Sequence, residues 1–214
     1  MARYVKKDAF HQKAKRESFA ARSVYKLDEI DARFKIIRKN DRVVDLGAAP
    51  GSWLQYLARA VGPGGLVLGY DLVPISVDPG PSVRARAVDV LSLTAREIRV
   101  DAWIAMHPGA PAPDELSLRF DVLLSDLAPK TTGIRDADQA RSGALVEAAL
   151  ALAIELLDDD GVFVAKVFQG RGFDELLVAT KRAFKETRVL KPEATRDGSR
   201  ESFFIARGRR PPAG

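Results

Sequence analysis

Asp45 stands beside two glycines, Gly47 and Gly51, in the run Val43-Val-Asp-Leu-Gly-Ala-Ala-Pro-Gly-Ser-Trp53. Glycines at the carboxyl end of a strand let backbone approach a ligand closely, where open α/β sheets bind their ligands. A dinucleotide fingerprint would need glycine at Ala49, and a pyrophosphate would meet the Asp45 carboxylate. The run also lacks the Gly-Lys-Ser/Thr ending of a phosphate-binding loop. An acidic residue at such a turn suits a cationic or zwitterionic ligand instead. Asp71, at the end of the next apolar run and roughly 20 residues past the glycines, is placed to accept both hydroxyls of a ribose. Asp89 and Val90 follow a third run and can meet an adenine amino group. Together these groups describe S-adenosylmethionine, with its zwitterionic end and positive sulfonium. Each has a plainer role when taken alone: Asp45 as a loop cap, Asp71 as a turn residue, Asp89 as a helix N-cap. Three carboxylates at successive strand ends favour the ligand. Trp53 either walls this pocket or belongs to the core.

Two further polar groups lie past this half of the chain: Ser125-Asp126-Leu-Ala-Pro129, and Lys166 inside Val164-Ala-Lys-Val-Phe168. A lysine in an apolar strand is costly to bury unless paired. Either its stem carries the amine out to an edge, or the amine works as a base or hydrogen-bonding group with Asp126 as its ion partner.

The elements that must hold these groups alternate. Strands are expected at Arg42–Leu46, Leu66–Tyr70, Ala85–Val88, Phe120–Leu124, Val162–Val167, Val189–Leu190 and Ser202–Ala206. Val24, Leu27, Ile30 and Phe34 predict an amphipathic helix that continues the polar stretch from Asp8 and runs to Lys35. Further helices are expected at Ser52–Val61, Ala137–Leu157 and Phe173–Phe184. Strands separated by helices indicate a mostly parallel, doubly wound sheet, with the last two strands antiparallel. Asp101–Arg119, with Pro108, Pro111 and Pro113, reads as a surface loop.

Composition bounds the rest. A chain of 214 residues that is 46% apolar can bury one large core, which excludes wholesale disorder. With no cysteine there is no disulfide, thiolate nucleophile or Cys-ligated zinc. His11 and His107 are the only histidines, so no metal site is expected. No stretch is long and apolar enough to span a bilayer, and no leader is evident, so a cytoplasmic protein is expected. The net charge of +5 is uneven: residues 1–42 hold 13 Lys/Arg against 6 Asp/Glu, residues 181–214 hold 10 against 4, and the middle holds 11 against 19. Basic ends over an acidic middle suit a polyanion, or simply keep the chain soluble.

The sequence resembles the FtsJ/RrmJ (RlmE) family of ribose 2′-O-methyltransferases along nearly its whole length. Ser23-Val-Tyr-Lys-Leu-Asp-Glu-Ile30, Asp45-Leu-Gly-Ala-Ala-Pro-Gly-Ser-Trp53, Leu124-Ser-Asp-Leu-Ala-Pro129, Val164-Ala-Lys-Val-Phe-Gln-Gly170 and Ser199-Arg-Glu-Ser-Phe203 stand in the family's order. The resemblance implies a Rossmann-like class I methyltransferase fold of seven strands with helices on both faces. It implies one domain over residues 1–207, with a basic segment at 1–22 and a disordered basic tail at 208–214. It carries the family's Lys-Asp-Lys-Glu tetrad onto Lys26, Asp126, Lys166 and Glu201. The cofactor-binding set becomes Asp45, Gly47, Pro50, Gly51, Trp53, Asp71, Leu72, Asp89, Val90 and Asp126. Lys130 stands where the family usually has asparagine, Ser52 replaces a common glycine, and the segment between Asp89 and Asp126 is longer than usual.

A ribose hydroxyl is a poor nucleophile that must lie in line with the methyl group and lose its proton. To take that proton Lys166 must be neutral. Lys26 and burial favour this, and Asp126 and Glu201 oppose it; a charged Lys166 would still orient the hydroxyl and stabilise developing oxyanion character. Lys6, Lys7, Lys13, Lys15, Arg16 and Arg22 precede Lys26, and Lys191, Arg196 and Arg200 precede Glu201, where they would grip phosphates. The resemblance implies a monomer acting on RNA: a uridine in the A loop of 23S ribosomal RNA, within the large subunit. The alternatives are a transfer RNA substrate, a non-catalytic RNA-binding assembly factor, and a nicotinamide oxidoreductase, the last disfavoured by Ala49.

Overall fold

A computed structural model describes residues 2–129, 135–195 and 198–211, with side chains not described at 2–8 and 135–138. The elements in chain order are α1 (Ala2–Arg16), α2 (Val24–Phe34), β1 (Arg42–Leu46), α3 (Ser52–Val61), β2 (Leu66–Asp71), β3 (Val83–Ala87), α4 (Ala95–Met106), β4 (Phe120–Ser125), α5 (Arg135–Leu156), β5 (Leu157–Phe168), α6 (Phe173–Ala183), β6 (Phe184–Leu190) and β7 (Glu201–Arg209). A short 3₁₀ turn, Val90–Ser92, lies between β3 and α4.

One seven-stranded sheet runs in the order β3-β2-β1-β4-β5-β7-β6. β1 to β5 pair in parallel, whereas β7 is antiparallel to both β5 and β6. Central strands such as β1 and β4 are apolar on both faces, as a parallel sheet covered by helices requires. Successive residues therefore feed opposite cores. Val43, Val122 and Phe203 pack with Leu27, Ile30, Trp53 and Leu54 beneath α2 and α3. Val44, Leu123 and Phe204 pack with Ile98, Ala153 and Leu176 beneath α4, α5 and α6. β1 lies between β2 and β4, so the chain order reverses there and a crevice opens at the carboxyl ends of β1 and β4.

Several sequence expectations change. The N-terminal helix is two helices: the chain leaves α1 after Arg16 and restarts at Val24, with Ser18 at a φ of 58°. Asp101–Arg119 is not all loop, because α4 extends through Met106 and the proline-rich stretch begins only beyond it. Thr94 and Glu97 form a complete capping box at its start. Gly208 and Arg209, assigned to the tail, close β7, and the Arg209 guanidinium pairs with Asp159; residues 212–214 lie outside the described residues. No helix among the described residues is long and apolar enough to cross a membrane.

α2 ends at Lys35, whose φ of 51° is left-handed, and Asp31 fixes the chain beyond it. Asp31 Oδ1 accepts the N–H groups of Ile36 and Ile37 at 3.0 and 3.1 Å, and Oδ2 accepts the Tyr56 hydroxyl at 2.9 Å. Burial, and then Asp31 itself, raise the pKa of Tyr56. Asp31→Ala leaves three donors without a charged acceptor, so we expect a loss of about 2–3 kcal/mol in urea denaturation at unchanged m.

Candidate active site

A cavity of about 460 Å³ occupies the crevice. It is lined by Gly47 and Ala49 after β1, Asp71 and Leu72 after β2, Asp89 to Leu91 after β3 and Asp126 to Pro129 after β4. Arg141, Ala144 and Leu145 of α5 close it. Of the expected cofactor set, Gly47, Asp71, Leu72, Asp89, Val90 and Asp126 line this space. Asp45, Pro50, Gly51 and Trp53 do not. The α5 residues carried no signal in the sequence, since their place depends on how that helix packs.

Gly47 has a φ of +87°, and a Cβ there would sit 3.0 Å from both the Asp126 carbonyl carbon and the Leu127 nitrogen. Those are backbone atoms of the cavity wall and cannot swing aside. We expect Gly47→Ala to weaken donor binding at least about 30-fold, combining a left-handed alanine with displacement of the wall. Calorimetric titration of S-adenosylmethionine measures this.

The plainer roles of two carboxylates turn out to coexist with the cavity. Asp71 accepts from the N–H groups of Ala49 at 2.9 Å and Val73 at 3.0 Å, tying the glycine loop to the end of β2. Asp89 caps the 3₁₀ turn by accepting from Leu91 N–H at 3.0 Å. A carboxylate has about four acceptor positions, so these bonds orient both groups without exhausting them. Asp45 is different. It is fully buried, and neither carboxylate oxygen has a hydrogen-bond partner among the described residues. Burial, and then the carboxylates of Asp126 and Asp71, push its pKa well above the usual range. Carboxylates at three successive strand ends, around a space edged by Leu72, Val90, Leu91 and Pro129, fit a nucleoside that carries positive charge.

The acceptor side adjoins this space through Asp126. Lys166 is 7% exposed, so its amine does not reach out to an edge. Its Nζ lies 3.0 Å from Asp126 Oδ1 and donates to the Asp126 main-chain oxygen at 2.8 Å. Lys26, from the first turn of α2, places its Nζ 2.5 Å from Glu201 Oε1. Lys166 stands opposite Phe203, and Phe168 opposite Glu201, in the β5–β7 ladder. All four therefore share one face of the sheet. The Lys26 and Lys166 amines each lie 5.9 Å from an aromatic ring of that face, Phe203 and Phe168 respectively. The tetrad is thus two ion pairs, side by side at one end of the sheet. Asp126 Oδ1 and Glu201 Oε1 are buried and, beyond these amines, meet no donor among the described residues, so acceptor capacity remains after the ion pairs are made.

Around this centre, Lys15 and Arg16 of α1 are exposed, as is Arg200 before β7. Lys13 lies 4.4 Å over the Tyr25 ring, and Lys191 donates to the Ser199 carbonyl at 2.8 Å. The side chains of Lys6 and Lys7, together with Lys130 and Arg196, lie outside the described residues. Among the described residues, no group of three or more His, Asp or Glu is placed to hold a metal ion.

A doubly wound sheet with a carboxylate-ringed, nucleoside-sized cavity at its switch point is the architecture of a Rossmann-like enzyme that binds a nucleoside cofactor, and its family makes this chain a methyltransferase that uses S-adenosylmethionine. The chain belongs to the FtsJ-like methyltransferase family, which matches residues 19–209. Among its relatives is the ribosomal RNA large subunit methyltransferase E of Syntrophobacter fumaroxidans, 45% identical over 202 residues that cover 94% of this chain and 95% of that one. The protein of the same name in Myxococcus xanthus is 42% identical over 210 residues, 98% and 92% of the two chains. A crystal structure of a ribosomal RNA methyltransferase from Plasmodium falciparum has the same fold, with a TM-score of 0.72 at 20% identity, covering 89% of this chain and 98% of that one.

Proposed function

We propose that this enzyme methylates the 2′-hydroxyl of a ribose in RNA, at a uridine of the A loop of large-subunit ribosomal RNA. The observation that carries this reading is Asp126, which lines the donor cavity and holds Lys166 at the same time. The names of the relatives support the choice of ribosomal RNA over transfer RNA.

Bound S-adenosylmethionine supplies an electrophilic methyl group. Lys166 orients the 2′-hydroxyl and stabilises the negative charge that develops as its proton passes to water, while the oxygen takes the methyl group and the donor leaves as the neutral thioether. Asp126 fixes the Lys166 amine. The Lys26–Glu201 pair holds the other side of the ribose, and alignment of the acceptor oxygen supplies much of the rate. Asp71 and Asp89 hold the nucleoside end of the donor, and Gly47 leaves room for it. Exposed cations on α1 and before β7 hold phosphates on either side of the target. Lys26, Asp126, Lys166 and Glu201 all come from one chain, so the site needs no second copy, and the reading is of a monomer that acts on the large subunit in the cytoplasm.

Ribose-methylation mapping of total RNA, in cells with and without this protein, tests the reading. The expected result is loss of one A-loop methyl group, restored by the wild-type chain and not by a Lys166→Met variant. Loss of a transfer RNA methyl group instead would overturn the substrate. An unchanged pattern would favour a non-catalytic assembly factor.

A further inference from the structure

The first turn of α3 follows directly from the glycine loop, yet its side chains reach back toward the segment that carries Lys26. Trp53 Nε1 donates to the Ser23 carbonyl at 2.9 Å. That same carbonyl accepts the main-chain N–H of Lys26 at 3.0 Å. Ser52 Oγ lies 2.9 Å from Ser23 Oγ. Ser23 is the N-cap of α2, but its hydroxyl makes no capping bond, so α3 holds the start of α2. Gln55 grips the same segment upstream, donating to the Ser18 carbonyl at 3.0 Å and accepting from Ala20 N–H at 2.8 Å.

The indole is also linked to the other end of Lys26 through Phe203. Its ring centre lies 6.2 Å from that of Phe203, the ring that the Lys26 amine faces at 5.9 Å. Trp53 is 3% exposed and lies in the core under α2 and α3, away from the donor cavity. Tryptophan combines a large apolar ring with one N–H donor, and here both act at one remove from Lys26: the donor on the Ser23 carbonyl that the Lys26 N–H shares, the ring against the Phe203 ring that the Lys26 amine faces.

We propose that Trp53 is a positioning residue for Lys26. It passes the placement of the donor loop to the amine on α2, so a settled donor loop and a settled acceptor site are one event. The proposal rests on the assignment of Lys26 to the acceptor site.

Trp53→Phe keeps a ring and deletes the N–H. We expect its donor affinity to stay within about twofold of wild type, while single-turnover methyl transfer at saturating donor falls about tenfold. In a Lys26→Met background the same change is expected to cost less than about twofold, because the residue it positions is gone. Ser52→Ala, which spares the core, is expected to lower the rate about two- to threefold in the wild-type background alone. A donor affinity reduced tenfold at an unchanged transfer rate would make Trp53 a cavity wall and overturn the proposal, as would losses that simply add to that of Lys26→Met.

A second readout does not depend on transfer. Acylation of Lys26, followed by mass spectrometry with Lys166 as internal reference, is expected to speed up about fivefold in Trp53→Phe as the amine loosens from Glu201. An unchanged labelling rate would overturn the proposal. If the wild-type chain methylated no ribose, the functional reading would fail, and Lys26 labelling would still decide the positioning role.

Discussion

Lys166→Met is expected to lower single-turnover methyl transfer about 10³-fold while leaving donor affinity within a few-fold. The methionine fills the volume of the lysine stem among Val164 and its neighbours, so packing changes little. What is lost is the amine that, among the described residues, contacts Asp126 both at its carboxylate and at its main-chain oxygen. General-base or oxyanion-stabilising groups of this kind contribute about 10²–10⁴ in rate. Removing one partner of a buried pair is usually costly to stability. Here the Asp126 side chain is 17% exposed and faces an open cavity, so water can replace the amine and the fold survives. Lys166→Arg is expected to be nearly as inactive, because the longer, planar guanidinium cannot put one compact donor at the point that meets both the Asp126 carboxylate and its main-chain oxygen. Transfer by Lys166→Met within tenfold of wild type would remove Lys166 from the reaction.

The sequence made the sheet and the donor side largely legible. Periodicity located β1, α3, β4 and the core of β5 because these elements are buried on both faces or on one regular stripe. It missed α4, whose helical pattern runs into three prolines; the capping pair Thr94 and Glu97 was the available signal. It joined α1 to α2 because no proline or glycine stands between them. That break is held from a distance by Gln55, a contact 35 residues away in sequence. It gave β6 only Val189 and Leu190, because Lys185 to Arg188 lie on the outermost strand, where neither face demands an apolar residue. The partnership of Lys166 with Asp126 could be inferred from the cost of burying an amine. The pairing of Lys26 with Glu201, 175 positions apart, came only with the family resemblance, since nothing local to α2 marks that lysine. Trp53 shows the opposite limit. Its residue type and place beside a glycine loop left a cavity wall and the core both open, and only the fold reveals that its N–H turns to Ser23.

Asp45→Asn is expected to make the donor-free protein more stable and a poorer binder. Asp45 ionises with difficulty in the fold, chiefly because it is buried and then because Asp126 and Asp71 repel its charge. The folded chain therefore holds this proton more tightly than the unfolded chain does. Below the ordinary carboxylate range both states are protonated and the group contributes nothing. As pH rises through that range the unfolded chain gives up its proton first, so wild type loses stability until the buried carboxyl itself ionises. Asparagine has no such proton. Its advantage should be absent near pH 3 and open steadily toward neutrality, with about 2–4 °C in Tm for each kcal/mol in a chain of this length. A variant less stable than wild type at pH 7 would contradict this account. Binding should move the other way. A cationic ligand in the cavity favours ionised Asp45, and one unit charge about 10 Å away at an effective dielectric near 20 is worth roughly tenfold in affinity. The demethylated product S-adenosylhomocysteine, which lacks the sulfonium charge, should lose less. Calorimetry in buffers of different ionisation enthalpy is expected to show proton release when wild type binds the donor at neutral pH, and none from Asp45→Asn. An unpartnered carboxylate is then kept in the core because its cost to the empty fold becomes selectivity for the charged methyl donor over the spent one.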